Sequence, residues 1–138
     1  MHEDALSKVS LFSGLSHKEL QELSVNARER EYAPGETLVR QGDTGVGLFV
    51  VQSGKVRVFQ QADGGERELG VFGKDAVLGE LALLDDQPRS ATMVAIEPTK
   101  TLIIPVWDFR AALRENPEIS LKLLAVLSQR LRRVESHI

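Results

Sequence analysis

The sequence predicts a mainly β domain with helices at both ends, and three observations carry that expectation. A serine-led capping box stands near the N-terminus, short apolar runs cut by turn residues fill the middle from Glu36 to Val106, and an asparagine–proline pair opens a leucine-patterned segment near the C-terminus. At 138 residues the chain has the size of one domain. It divides into an N-terminal helical segment over 1–34, a β-roll over 35–107 and C-terminal helices over 108–138.

The capping box is Ser16-His17-Lys18-Glu19, in which hydroxyl and carboxylate each accept from the other residue's backbone amide. Leu20 and Leu23 follow on one face, and the spacing predicts a helix from about Lys18 to Arg28. Tyr32-Ala33-Pro34-Gly35 breaks that pattern. Strands are then predicted over Thr37 to Arg40, Leu48 to Gln52, Lys55 to Gln60, Arg67 to Phe72, Ser90 to Ile96 and Thr101 to Val106. Between them lie a glycine-rich turn from Gln41 to Gly47, the Ser53-Gly54 turn and the hairpin signal Asp63-Gly64-Gly65. Gly42, Gly45, Gly47 and Gly54 are assigned to turns, with no ligand role. Leu78 to Asp86 is rich in helix formers but too short for a full helix, so it reads as one or two helical turns inserted into a barrel or sandwich.

The tail begins with a helix from about Asp108 to Arg114, with Trp107 and Phe109 assigned to packing. Asn116 then caps a second helix whose first position is Pro117, where a missing amide costs nothing. Leu124, Leu127, Leu131, Val134 and Ile138 recur at spacings of three and four, a short heptad seam flanked by Arg130, Arg132 and Arg133. The seam predicts a homodimer through this helix.

Composition closes off several functions. Hydrophobic residues at 42% and charged residues at 27% are ordinary for a globular domain. The absence of cysteine excludes a thiol nucleophile, a zinc knuckle, an iron–sulfur cluster and disulfides. His2, His17 and His137 all lie outside the β region, so no metal site is expected in the barrel. A net charge of -3 disfavours a surface devoted to nucleic acid, and Arg130-Leu131-Arg132-Arg133 reads as a solvated helix face. The charged opening Met1-His2-Glu3-Asp4 and the lack of a long apolar run predict neither a signal peptide nor a membrane span, hence cytoplasmic residence. Asp75, Glu80, Asp85 and Asp86 offer carboxylates, but none is placed with a nucleophile or metal ligands, so no catalytic residue, no cofactor and no enzyme activity are expected.

The chemistry concentrates in Leu78-Gly79-Glu80-Leu81-Ala82-Leu83-Leu84-Asp85-Asp86-Gln87-Pro88-Arg89-Ser90-Ala91-Thr92. The start of a short helix favours an anion through its unpaired amides, and Gly79 lets backbone approach closely. Arg89 adds a guanidinium that can fork onto two phosphate oxygens, and Ser90 adds a hydroxyl. Glu80 would repel a bare anion. It makes sense only for a ligand that also donates hydroxyl groups, as a ribose does.

This stretch resembles the phosphate-binding cassette of cyclic nucleotide-binding domains, found in catabolite-activator-like (Crp/Fnr-type) regulators, cyclic-nucleotide-dependent kinases and gated channels. The likeness extends to the leading helix, Gln41-Gly42-Asp43, Ser53-Gly54-Lys55-Val56 and the helices after Asn116-Pro117. It implies a jelly-roll β-barrel with an N-terminal helix and C-terminal hinge and dimer helices. For the site it implies Gly79 as a backbone contact, Glu80 as acceptor for the ribose 2′-hydroxyl, and Arg89 and Ser90 on the cyclic phosphate. Leu81 and Ala82 would supply amides, Val58 and Leu69 would line the base pocket, and Arg130 and Val134 would approach from the closing helix. Ser90 is compatible with cAMP and with cGMP, cAMP being favoured.

Some positions depart from the family pattern. Asp75 stands where the family has glycine, Leu78 where phenylalanine is commoner, and Val134 and Glu135 occupy tail positions that reach the adenine in catabolite-activator-like proteins. In the regulator branch a helix-turn-helix domain follows the long helix, whereas this sequence stops at Ile138, so no DNA contact is expected from the chain alone. The leading expectation is a sensor module that moves its C-terminal helix on binding. The alternatives are the sensing half of a Crp/Fnr-type transcription regulator and a degenerate interaction scaffold.

Overall fold

The computed structural model describes residues 2–44, 47–80, 83–85 and 87–135. Two four-stranded antiparallel sheets face each other, with helices packed on the outside of one of them. The chain opens with helix α1 (Glu3–Leu6), a 3₁₀ turn over Ser10–Phe12 and helix α2 (His17–Ser24). Strands β1 (Arg28–Tyr32), β2 (Thr37–Val39), β3 (Gly47–Ser53), β4 (Val56–Ala62), β5 (Gly65–Phe72), β6 (Val77–Leu78), β7 (Thr92–Ala95) and β8 (Thr99–Pro105) follow. Helices α3 (Val106–Glu115) and α4 (Pro117–Val134) end the described chain. The first sheet runs β1-β8-β3-β6 and the second β2-β7-β4-β5. This is the jelly-roll arrangement that the cassette resemblance implies.

Both helix-start signals act as expected. Ser16 and Glu19 form the reciprocal capping box at α2, and the Asn116 side chain accepts from the Glu118 amide above Pro117. Helix α2 stops at Ser24 rather than Arg28, because Arg28–Tyr32 pairs with β8, Arg28 opposite Ile103 and Tyr32 opposite Thr99. The strand buries Tyr32. An alternating charged segment, Arg-Glu-Arg-Glu, hid that strand from its hydrophobic pattern.

The unbroken apolar run of β3 is explained by two cores. Leu48 and Val50 face the helices together with Leu102 and Ile104 of β8, whereas Phe49 and Val51 face the space between the sheets. A strand buried on both faces shows no alternation. Phe12 stacks on Phe109 with ring centroids 5.9 Å apart, fastening the N-terminal turn to α3, and Ile119 and Leu123 bury the start of α4. Each such side chain contributes roughly 1.5–3 kcal/mol by leaving water.

Two assignments change. Trp107 is not a packing residue but 73% exposed, with the Arg110 guanidinium 5.9 Å from its ring; Phe109, two residues on, takes the buried position. Gly47 is not a turn glycine but the first residue of β3, facing Pro105 across the ladder. A Cβ there would stand 2.0 Å from the Ile104 carbonyl oxygen, so the close approach of β3 to β8 requires glycine. No described helix is long and apolar enough to cross a membrane, and no cluster of three or more potential metal ligands occurs among the described residues.

Candidate functional site

Between β6 and β7 the chain leaves the sheets and folds a cavity of about 350 Å³ lined by Gly79, Glu80, Asp85, Arg89, Ser90 and Met93 among others. A depression of about 410 Å³ along edge strand β2 is larger but offers no buried charge. What distinguishes the smaller cavity is Arg89, 5% exposed. Its Nη2 donates to the Gly47 carbonyl, and its Nε is buried without a partner among the described residues. Among the described residues no carboxylate pairs with it. Burial pushes the Arg89 guanidinium below its ordinary pKa. A buried cation with unused donors is costly until an anion arrives.

The backbone around Arg89 is fixed from a distance. Its amide donates to the Asp43 carbonyl at 2.9 Å, and its carbonyl accepts from the Gly42 amide at 2.8 Å. Gly42 takes φ +90°, which a side chain disfavours, so the Gln41-Gly42-Asp43 turn clamps the arginine in place. The Gln60 side chain holds the next residue by donating to the Ser90 carbonyl at 3.1 Å. Gly79 completes the wall with φ +79°, and a Cβ on it would lie 2.1 Å from Arg89 Nη1. The conformation favours glycine, and any side chain added here would also require the Arg89 guanidinium to move.

Glu80 sits at the mouth, its side chain 18% exposed. Its Oε1 accepts from Arg130 Nη2 at 2.5 Å, and the Ser10 hydroxyl lies 3.4 Å from the same oxygen. Arg130 also donates to the Ser10 hydroxyl. The cassette is thus held from α4 and from the N-terminal 3₁₀ turn together. On the opposite side Arg110 of α3 donates to the Asp85 carbonyl at 3.2 Å.

The structure therefore brings together Gly79, Glu80, Arg89, Ser90 and Arg130. Leu81 and Ala82 lie outside the described residues. Val58 is buried between the sheets, opposite Met93 in the β4–β7 register, and Leu69 lies exposed on edge strand β5; neither lines the cavity at Arg89. Val134 is 73% exposed at the end of α4, away from the cavity lining. Sequence reasoning missed the clamp by Gly42 and Asp43, the Gly47 carbonyl and the role of Ser10. The Gln41-Gly42-Asp43 turn was a visible signal, but nothing local tells which distant backbone a turn will hold.

Comparison with known proteins agrees with this geometry. A family-wide sequence profile for the cyclic nucleotide-binding domain matches residues 29–116. The chain is 39% identical over 126 residues to the cyclic AMP receptor protein of Thermus thermophilus, covering 91% of this chain and 58% of that protein. It is 28% identical over 137 residues to the CRP-like cAMP-activated global transcriptional regulator of Mycobacterium tuberculosis, covering 99% of this chain and 61% of that one. Among solved structures, the N-terminal domain of a transcriptional regulator from Streptomyces coelicolor superposes with a TM-score of 0.87 at 35% identity, over 98% of this chain and 94% of that domain. The chain spans about three fifths of the length of the two curated relatives. Fold, cassette geometry and profile coincide, and the chain belongs to the cyclic nucleotide-binding domain family, as a Crp/Fnr-type member.

Proposed function

We propose that the chain is the sensing domain of a cAMP-responsive regulator, with cGMP the weaker ligand. The observation that carries this reading is the buried Arg89 guanidinium, opening on a cavity with an unbonded Nε and no carboxylate partner among the described residues. A cyclic phosphate would supply the missing anion, with Ser90 as a second donor and Gly79 admitting it to the wall. Glu80 would accept from the ribose 2′-hydroxyl, a role that fits a carboxylate at the mouth rather than against the arginine. Leu81 and Ala82 would add amides, and Arg130 would approach from α4 through Glu80, whereas Val58, Leu69 and Val134, outside the cavity lining, are left without a ligand role. Two relatives whose names specify cAMP support that nucleotide over cGMP.

In this reading the domain binds and does not catalyse, in the cytoplasm, with no metal or cofactor. Phosphate binding would draw Arg89 from the Gly47 carbonyl, and engagement of Glu80 would alter its hold on Arg130 of α4. The ligand shifts α4 only by as much as it prefers one position over the other. A homodimer through α4, and DNA regulation by a further domain, belong to the same proposal.

Calorimetric titration with cAMP and with cGMP tests it, on this chain and on Arg89→Ala. Saturable heat, stronger for cAMP and lost in the variant, is the expected result. Silence with both nucleotides would make the chain an interaction module.

A further inference from the structure

Glu80 has two carboxylate oxygens, and the described residues use them unequally. Arg130 from α4 and Ser10 from the N-terminal 3₁₀ turn both address Oε1, and none of the described residues donates to Oε2. Ser10 and Arg130 are themselves joined, since the guanidinium donates to the serine oxygen. The three groups close a ring: Arg130 to Ser10, Ser10 to Glu80, Arg130 to Glu80. Neither Ser10 nor Arg130 lies in the stretch 29–116 that matches the family profile.

The consequence is orientational. A glutamate side chain alone has several rotamers and either oxygen can turn to a ligand. Two donors on one oxygen fix the carboxylate plane and leave Oε2 as the acceptor for whatever enters the cavity. An arginine on a long stem would be a loose partner by itself, with substantial rotamer entropy to lose on being held. The Ser10 hydroxyl anchors it, and Leu11 and Phe12, fully buried in the core beneath, hold the serine's own backbone still.

We infer that Ser10 is a positioning residue for ribose recognition, acting through Glu80 and Arg130 to favour ligands that carry a 2′-hydroxyl. The inference rests on the proposed nucleotide function. Its distinctive signature is selective: removing the Ser10 hydroxyl weakens a ribonucleotide, whose 2′-hydroxyl uses Glu80, more than a 2′-deoxyribonucleotide, which has nothing to present there.

The test is titration of cAMP and 2′-deoxy-cAMP against the chain, Ser10→Ala and Ser10→Thr. Loss of one hydrogen bond of ordinary net strength, felt by the ligand through Glu80, predicts that Ser10→Ala lowers cAMP affinity roughly three- to tenfold and leaves 2′-deoxy-cAMP within about twofold. Ser10→Thr, which keeps the hydroxyl, restores the preference. Equal weakening of both ligands by Ser10→Ala, or no change in their ratio, overturns the role. If the unaltered chain binds neither nucleotide, the functional reading falls first and this inference with it. If it binds cAMP while the ratio is unmoved, only the inference falls.

Discussion

The Arg89 guanidinium and the Gly47 carbonyl are hydrogen-bonded across 42 residues of sequence, joining the cassette to the first residue of β3. Gly47 pairs with Pro105, which also stands immediately before α3. The interaction therefore connects the proposed phosphate ligand to the root of the C-terminal helices in two steps. A neutral carbonyl only partly satisfies a buried cation, so an entering phosphate competes for the guanidinium with the advantage of charge.

Arg89 is expected to trade stability for function. Arg89→Ala should weaken cAMP by about a hundredfold or more, as loss of one partner of a buried charge pair does. Arg89→Met, which fills the space without a buried charge, should keep or raise the thermal midpoint of the unliganded domain. Thermal melts with and without nucleotide check both. A midpoint well below that of the unaltered chain would mean that the arginine serves mainly to brace Gly47.

Gly79→Ala should cost more than a glycine substitution that meets only backbone strain. Gly35 supplies the reference, with φ +90° and nothing within 4 Å of an added Cβ. Urea unfolding should show Gly35→Ala losing about 1 kcal/mol and Gly79→Ala up to about 3 kcal/mol, with nucleotide binding lost only in the second. Equal losses would show that the Arg89 side chain swings aside freely.

Glu19 makes part of the stability pH-dependent. Its Oε1 accepts from Lys122 Nζ of α4 at 2.7 Å and from the Ser16 amide at 2.8 Å, and Lys122 first, then Ser16, holds the carboxyl below its ordinary pKa. The folded value is the lower one, so this stabilisation is complete above the ordinary carboxylate range and is lost as pH falls through the folded value. Stability curves of the chain and of Glu19→Gln should be separated at neutral pH and converge in acid. A gap that stays constant down the titration would remove Glu19 as the cause.

Leu124 and Leu131 are 60% and 57% exposed on one stripe of α4, seven residues apart, which is the register a second helix would cover. Sedimentation should give a dimer for the chain and a monomer for Leu131→Glu. Unchanged association in the variant would place the interface elsewhere.

How much could be read beforehand varies with the physics of each element. The two helix starts were legible because a cap is a local contract among four residues, and Ser16-Glu19 and Asn116-Glu118 honoured it. The Asp63-Gly64 hairpin turn was legible for the same reason, since it follows from the backbone freedom of glycine. Strand β1 was not, because a run of alternating charges carries no apolar signal until β8 offers it a ladder. Leu127 packs against the helical core while Leu124 and Leu131 do not, so the leucine repeat marked a two-sided helix without saying which leucines faced inward.

The sequence by itself determined the β-rich body, the helix caps and the density of anion-binding chemistry from Gly79 to Ser90, since each is written in neighbouring residues. Only the tertiary structure decided that Arg89 is buried with no carboxylate partner among the described residues, that Gly42 and Asp43 hold its backbone, and that Ser10 and Arg130 meet on one oxygen of Glu80. Those contacts join residues dozens to more than a hundred positions apart. Their energies depend on burial and direction, which a chain acquires only when its sheets and helices close around it.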